Sequence, residues 1–416
     1  MLLIAAPGQG AQTPGFLREW LELPGFPERL GSWSELAGCD LIRCGTTADA
    51  DEIRDTAIAQ PLLVAAAIAV AAELPGGPGR PAVPADTVPA DTVPADTVLA
   101  DTLAGGGVDA AAGHSVGELA AGVIAGVLTP EDAIRLVRVR GQAMARAAAA
   151  EATGMTAVLG GDEQAVLASI ESHGLTPANV NGAGQIVAAG TVDQLAAFAA
   201  DPPPGARLRP LSVAGAFHTR HMEPAASALR EAAATVTARD PVLTLLSNRD
   251  GGVVRSGPDW LERIVTQVSE PVRWDKCQQT MASLGVSTLI ELPPAGTLTG
   301  LARRALPGVR TLGLKSPGDL EQACALLAAG HDTHTGTPAP DWRLLVAPLA
   351  GTFRGTPTRP GTVVSTGADL GHVEIRGGNH TVSPPFPATI IEWLVEDGDP
   401  VSAGQPLVRL QPDGTG

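Results

Sequence analysis

VDAAAGHSVGELAAGVIAG, residues 108–126, passes from small apolar residues through the turn Gly113-His114-Ser115-Val116-Gly117 into a second apolar run. Read as strand, tight turn and helix, it is the context in which G-x-S-x-G forms a nucleophile elbow. A serine on such a turn projects its hydroxyl into a cleft. The Val116 amide, at the start of the helix, then faces the oxyanion of a tetrahedral intermediate. A Gly-rich structural turn is the plain alternative, since five-residue patterns recur by chance.

Working outward, LLIAA near the N-terminus predicts a buried strand feeding a Gly-rich loop, and AIAQPLLVAAAIAVAAEL, residues 57–74, predicts a buried helix. Thr129-Pro130-Glu131-Asp132 supplies an N-cap, a proline at the first helical position and acids in the first turn. GVSTLIELPPAGTLTGLARRAL, residues 285–306, again reads strand, loop, helix. These stretches predict an α/β domain over residues 1–330. Within it, residues 153–212 alternate short apolar runs with helix-like segments, which predicts a small inserted α+β subdomain. A second insertion, residues 76–107, is of low complexity: PADTV, PADTV, PADTV and LADTL follow one another from Pro84 to Leu103. The repeated prolines predict a surface loop. HDTHTGTPAPD, residues 331–341, has no apolar periodicity and predicts a linker, and residues 342–416, short apolar runs between Gly/Pro turns, predict a small all-β domain.

Composition narrows the function. With 416 residues, 44% apolar and 17% charged, the chain buries a sizeable core and divides into two or three domains. A formal net charge of −16 disfavours nucleic acid and anionic membrane surfaces as partners. No segment approaches the run of about 18 apolar residues that spans a bilayer, and the opening MLLIAAPGQG lacks the basic flank of a signal peptide, so a cytoplasmic location is expected. Cys39, Cys44, Cys277 and Cys324 form no CxxC pair, and His331-Asp332-Thr333-His334 lies in a linker with no further ligands, so neither a disulfide framework nor a metal site is expected.

Further motifs accompany the elbow: PGQGAQ (7–12), AQP (59–61), GHSVGE (113–118), RLVRVRGQAM (135–144), NVNGAGQIVAAG (179–190), GAFH (215–218), SNRDG (247–251) and EPVRWD (270–275). In order, over roughly residues 1–315, this set resembles malonyl-CoA:acyl carrier protein transacylases and the related acyltransferases of polyketide synthases. The resemblance implies an α/β-hydrolase-like core with an inserted ferredoxin-like subdomain. It implies a reaction without a cofactor, with malonyl-CoA and an acyl carrier protein as partners. Position by position, it makes Ser115 the nucleophile and His218 its base. It assigns the carbonyl of Glu270 to orienting the imidazole, and the backbone amides of Gln9 and Val116 to the oxyanion hole. Arg140 matches the arginine that pairs with the malonyl carboxylate, a role that suits a planar, permanently charged guanidinium. Its neighbours Arg135 and Arg138 read as a solvated helix face, and His221 as surface. His114, Gln60, Met144, Asn179, Asn181 and Gln185 fall at positions around the cleft. Phe217, directly before the base, accompanies malonyl selection in the polyketide enzymes, where its ring leaves little room for an α-methyl group.

Residues 343–412 resemble, more weakly, biotinyl/lipoyl carrier domains. VAPLAGTF (346–353) is similar to their first strand and turn, and EDGDPVSAGQPLVRL (396–410) to their closing segment. The position of the modified lysine falls on Gly377, and without an ε-amine no biotin or lipoyl amide forms. A docking partner for this domain, or a vestigial domain, are the remaining alternatives. The whole chain is thus expected to pass a malonyl group from CoA to a carrier-protein thiol in a ping-pong reaction. Three rivals stay open: an acyl hydrolase, a malonyl transferase serving malonate decarboxylase, and a non-catalytic scaffold that recruits synthase or carboxylase partners.

Overall fold

Strand β1 (Leu2–Ala6) is buried along its whole length, as an unbroken apolar run at the centre of a parallel sheet requires. The computed structural model describes residues 1–74, 95–332 and, with short breaks, 343–412. After β1 come α1 (Phe26–Ala37), α2 (Leu41–Thr46) and α3 (Thr56–Ala71). Helix α3 is apolar all round and correspondingly buried. Then follow α4 (Ala95–Gly105), β2 (Ala110–Gly113), α5 (Gly117–Ile124) and α6 (Pro130–Ala150). Thr129 caps α6, its hydroxyl accepting from the Asp132 amide at 2.9 Å.

Helix α4 corrects the loop expected of the repeat. Residues 75–94, with the first PADTV units, lie outside the described residues, but the last unit is helical. Its proline is replaced by Leu99, and Ala100 and Leu103, three residues apart, are buried on one side.

The inserted segment contributes β3 (Thr153–Gly160), α7 (Glu163–Ser172), β4 (Thr176–Gly182), β5 (Gln185–Thr191), α8 (Val192–Ala200) and β6 (Ala206–Pro210). Its antiparallel sheet runs β6-β3-β5-β4. The chain continues through α9 (Glu223–Ala233), β7 (Thr244–Leu246), β8 (Val253–Val254), α10 (Gly257–Gln267), β9 (Val272–Arg273), α11 (Trp274–Ser283), β10 (Thr288–Glu291), α12 (Thr297–Ala305), β11 (Arg310–Gly313) and α13 (Leu320–Asp332). Strand β9 pairs in parallel with β4, so a segment beyond the insertion adds a fifth strand to its sheet. Nothing in the two residues of β9 signals this from sequence. Helix α13 runs on to Asp332, two residues into the stretch read as a linker, whose remainder lies outside the described residues.

The main sheet has the order β11-β10-β1-β2-β7-β8, parallel except for β8. In such sheets ligands sit beyond the carboxyl ends of the strands. Ala6 of β1 pairs with Gly113 of β2, so the Gly8 loop and the Ser115 turn leave the sheet side by side. Strand β7 flanks β2 on the other side and delivers Ser247 and Asn248 to the same end. Among the described residues, no helix is long and apolar enough to cross a membrane.

The chain divides into two units, Met1–Asp332 and Thr333–Gly416. The second contains β12 (Arg343–Val346), β13 (Gly351–Gly355), β14 (Val363–Val364), β15 (Gly371–Ile375), β16 (Gly378–Val382), β17 (Ala388–Trp393), β18 (Pro400–Val401) and β19 (Pro406–Pro412). They form two four-stranded antiparallel sheets, β12-β19-β17-β14 and β16-β15-β13-β18. Strands β15 and β16 pair with Ile375 opposite Gly378; residues 376 and 377 between them lie outside the described residues.

Candidate active site

The turn between β2 and α5 is tight enough to demand both flanking glycines. A Cβ on Gly113 would lie 2.0 Å from the Gly117 carbonyl carbon, and one on Gly117 would lie 2.3 Å from the Ala6 oxygen. Between them Ser115 takes φ 53°, a left-handed conformation that costs a non-glycine residue energy and marks a functional turn. His218 has φ 61° on the loop before α9.

These two side chains meet. Ser115 Oγ lies 2.7 Å from His218 Nε2, and His218 Nδ1 lies 2.7 Å from the backbone carbonyl of Gln267. A carbonyl only accepts, so Nδ1 carries the ring proton and Nε2 is left to accept from the serine. The orienting carbonyl is therefore that of Gln267, at the end of α10, which corrects the assignment to Glu270; the Glu270 carbonyl is a lesser second acceptor for the ring. The correction follows from the last turn of α10, whose end carbonyls have no partner within the helix. Burial, with the Arg140 charge added to it, pushes the imidazole down to about 3. The ring is thus neutral at physiological pH and ready to take a proton.

Arg140, on α6, is 1% exposed. Its guanidinium donates to Gln60 Oε1 at 2.7 Å, to Gln267 Oε1 at 2.9 Å and to Ser115 Oγ at 3.3 Å, and its Nε has no partner among the described residues. Burial lowers its pKa to about 10, which leaves it a cation near neutrality. The site thus holds a buried cation beside the Ser115 hydroxyl, an arrangement whose charge favours an anionic group. Gln60 is fixed in turn by a contact from its Nε2 to Met144 Sδ at 3.4 Å.

A cavity of about 80 Å³ opens on Ser115 and is lined by Gln9, Gln60, His114, Val116, Met144, Asn179, Phe217 and His218 among others. Asn181 and Gln185 line a larger neighbouring cavity of about 490 Å³ that shares Gln9, His114 and Asn179. His114 Nε2 lies 2.9 Å from Asn181 Oδ1, its ring packs edge-on against Trp274, and burial lowers its pKa. Gln9 sends its side chain away, to the Arg54 carbonyl and the Thr56 hydroxyl. His221, read as surface, pairs with Glu151 at 2.8 Å.

Three buried residues of the site escaped the sequence reading as site residues: Glu118, Asn248 and Gln267. Glu118 accepts from the Asn248 amide at 3.0 Å and from Gln267 Nε2 in a short contact, and burial pushes its carboxyl up to about 8. One signal was available, since Glu118 is an acid in the otherwise apolar helix GELAAGVI. Asn248 falls in the SNRDG motif, which marked the segment without assigning the residue a role, and Gln267 carried no signal, because its partners lie far away in sequence.

Comparison with known proteins gives the family of the chain. The family model of the acyl transferase domain matches residues 96–324. The malonyl CoA-acyl carrier protein transacylase of Mycobacterium tuberculosis is 48% identical over 326 residues, covering 78% of this chain and 100% of that protein. The protein of that name from Escherichia coli K12 is 31% identical, over 77% of this chain and 97% of its own length. Among solved structures, MCAT from Mycobacterium tuberculosis superposes with a TM-score of 0.70 at 47% identity, covering 78% of this chain and 99% of that one. A malonyl-transacylase in complex with its type II PKS acyl-carrier protein matches with a TM-score of 0.67 at 26% identity, covering 78% of this chain and 99% of that one. Likeness of that depth across the full length of the relatives makes this chain an acyltransferase, a member of the malonyl-CoA:acyl carrier protein transacylase family.

Proposed function

We propose that the chain moves a malonyl group from CoA to the phosphopantetheine thiol of an acyl carrier protein through an ester on Ser115. One observation carries the reading: a neutral imidazole 2.7 Å from the Ser115 hydroxyl, with a buried guanidinium 3.3 Å from the same oxygen. Ser115 Oγ attacks the thioester carbonyl while His218 Nε2 takes its proton. The backbone amides of Gln9 and Val116 hold the oxyanion, a role supported by their place around the Ser115 cavity. The intermediate collapses, the C–S bond breaks, and CoA leaves as a thiol with the proton from His218. The carrier thiol then gives its proton to His218 and attacks the ester, and Ser115 takes the proton back. Throughout, Arg140 holds the free carboxylate, with Gln60 and Gln267 keeping the guanidinium in place. Phe217, 7% exposed on the cavity wall, disfavours an α-methyl group, an effect worth about 1–3 kcal/mol.

Around this core, the strand order β6-β3-β5-β4 with a helix after the first and third strands supports the ferredoxin-like reading of residues 153–212. The parallel sheet with its serine elbow supports the α/β-hydrolase-like reading of residues 1–330. The two small antiparallel sheets, with the β15–β16 hairpin bracketing Gly377, support a biotinyl/lipoyl-like domain at residues 342–416 beyond a linker at 331–341, without the lysine that carries the cofactor. We take that domain as a docking module for a pathway partner. The enzyme then acts in trans, in the cytoplasm, in fatty-acid or polyketide synthesis. Incubating the full chain with malonyl-CoA and reading the mass added to Ser115, then adding phosphopantetheinylated carrier protein, tests the whole scheme. Loading without transfer, or release of free malonate in its place, would favour a hydrolase.

A further inference from the structure

We propose that Asn248 is the positioning residue that holds Ser115 in its strained conformation, an inference that rests on the transacylase reading above. The side chain of Asn248 is wholly buried at the end of β7 and touches the turn at two points. Its Oδ1 accepts from the Ser115 backbone N–H at 2.7 Å, and its Nδ2 donates to the Gly113 carbonyl at 2.7 Å. A single planar amide therefore clamps the peptide groups on both sides of His114. The chemistry suits a carboxamide: the turn presents one donor and one acceptor, and the amide returns one of each from two separate atoms held in one plane. Turning the amide over would set donor against donor and acceptor against acceptor.

The clamp is itself anchored. The Asn248 N–H donates to Glu118 Oε1 at 3.0 Å, and the Asn248 carbonyl accepts from Arg273 N at 2.8 Å. Glu118 is on the helix that the elbow starts, so both ends of the turn are tied to one residue just beyond the neighbouring strand. Ser115 needs such support, because φ 53° is unfavourable for any residue with a Cβ. The Ser115 N–H, being spent on Asn248, is not an oxyanion donor, which leaves that role to the next amide, Val116. Released from the clamp, the backbone relaxes and carries Oγ off the line to His218.

The elbow serves every acyl group alike, so the loss must fall on kcat and spare selectivity. In the full chain, Asn248→Ala is expected to lower single-turnover loading by about 10²-fold, the scale of an ångström-sized misplacement. KM and the malonyl-to-acetyl ratio should stay near wild type, and labelling of Ser115 by a fluorophosphonate should slow in parallel. Asn248→Asp keeps volume and the acceptor for Ser115 N–H but turns an oxygen on the Gly113 carbonyl. It should load more slowly than wild type with the same unchanged ratio. Wild-type loading rates in both variants, a loss confined to KM, or a changed malonyl-to-acetyl ratio would overturn the proposal. So would failure of both variants to fold, which would make Asn248 a core residue. Absence of loading by the wild-type chain would remove the transacylase reading instead.

Discussion

The two units bury different kinds of side chain. In Met1–Asp332 the buried set includes Gln60, Glu118, Arg140, Asn181, His218, Asn248 and Gln267, whereas in Thr333–Gly416 the buried side chains among the described residues are apolar. The second unit packs one cluster around Phe353 and Val373 and another around Ile390 and Leu410. Its Arg354 reaches Glu374 and Asp397 at the surface, where such pairs contribute little. Burying Arg140 beside Glu118 and His218 carries a desolvation cost that apolar packing would avoid. A fold keeps such a group where chemistry uses it. By that measure the first unit is built around a reaction, and the described interior of the second holds no polar side chain of that kind.

Removing the nucleophile is the most severe way to break this contrast. Ser115→Ala should abolish covalent loading from malonyl-CoA, a loss of about four orders of magnitude or more. His218→Ala should slow both loading and transfer by about 10²–10⁴-fold, since one imidazole takes the proton in each half-reaction and returns it. Intact-mass spectrometry of the protein reads both, and a malonyl adduct on Ser115→Ala would sink the assignment.

Arg140→Ala tests whether the buried charge serves the substrate or the fold. Losing a desolvated partner for a carboxylate costs about 2–5 kcal/mol. An acetyl group has no carboxylate and loses none of this, so the malonyl-to-acetyl loading ratio should fall by at least about 30-fold. Equal losses for both donors would make Arg140 a structural residue.

A smaller effect is expected from pH. His218 sits at about 3 and Glu118 at about 8, so between pH 5 and 7 the base stays neutral and Glu118 stays protonated. Single-turnover loading should then vary by less than about twofold across that window, because neither the base nor Glu118 changes charge there. The sign is set by the base: loading would fall only as pH drops toward the imidazole's own value, far below the ordinary histidine range. A loss centred near pH 6.5 would mean that the ring is solvated and the clamp looser than 2.7 Å contacts imply.

How much of this was legible in the sequence depends on the range of the signals. The elbow, β1, α3 and the capped start of α6 were legible, since each is specified by a few adjacent residues: glycines around Ser115, an unbroken apolar run, Thr129 before Pro130. The helical last unit of the repeat was not, because the prolines of its neighbours dominate the composition while its burial depends on tertiary contacts. The bonding within the network of Glu118, Asn248 and Gln267 was not legible for a related reason, although Glu118 and Asn248 fall in quoted motifs. Its bonds to the elbow join residues more than 120 positions apart, as Asn248 to Ser115 and Gln267 to Glu118, and no local pattern encodes such pairs. The switch of the orienting carbonyl from Glu270 to Gln267 is a matter of where one helix ends, which sequence specifies only to within a turn.

The smallest expected effect comes from deleting the second unit. A chain ending at Asp332 should load malonate on Ser115 at the full-length rate, because every bond around Ser115, His218 and Arg140 is made within Met1–Asp332. Each unit also has apolar clusters of its own, so removal of the second should leave the first folded. Transfer to a generic carrier protein should likewise persist. If the β unit docks a partner, the truncated enzyme should show a raised KM for its own pathway's carrier with kcat little changed, the signature of lost uniform binding. Slower loading by the truncated chain would break the contrast itself, since an all-apolar interior would then be contributing to chemistry. Unchanged KM for every carrier tried would leave the unit without a docking role and return its Gly377 hairpin to the status of a carrier domain that has lost both its lysine and its task.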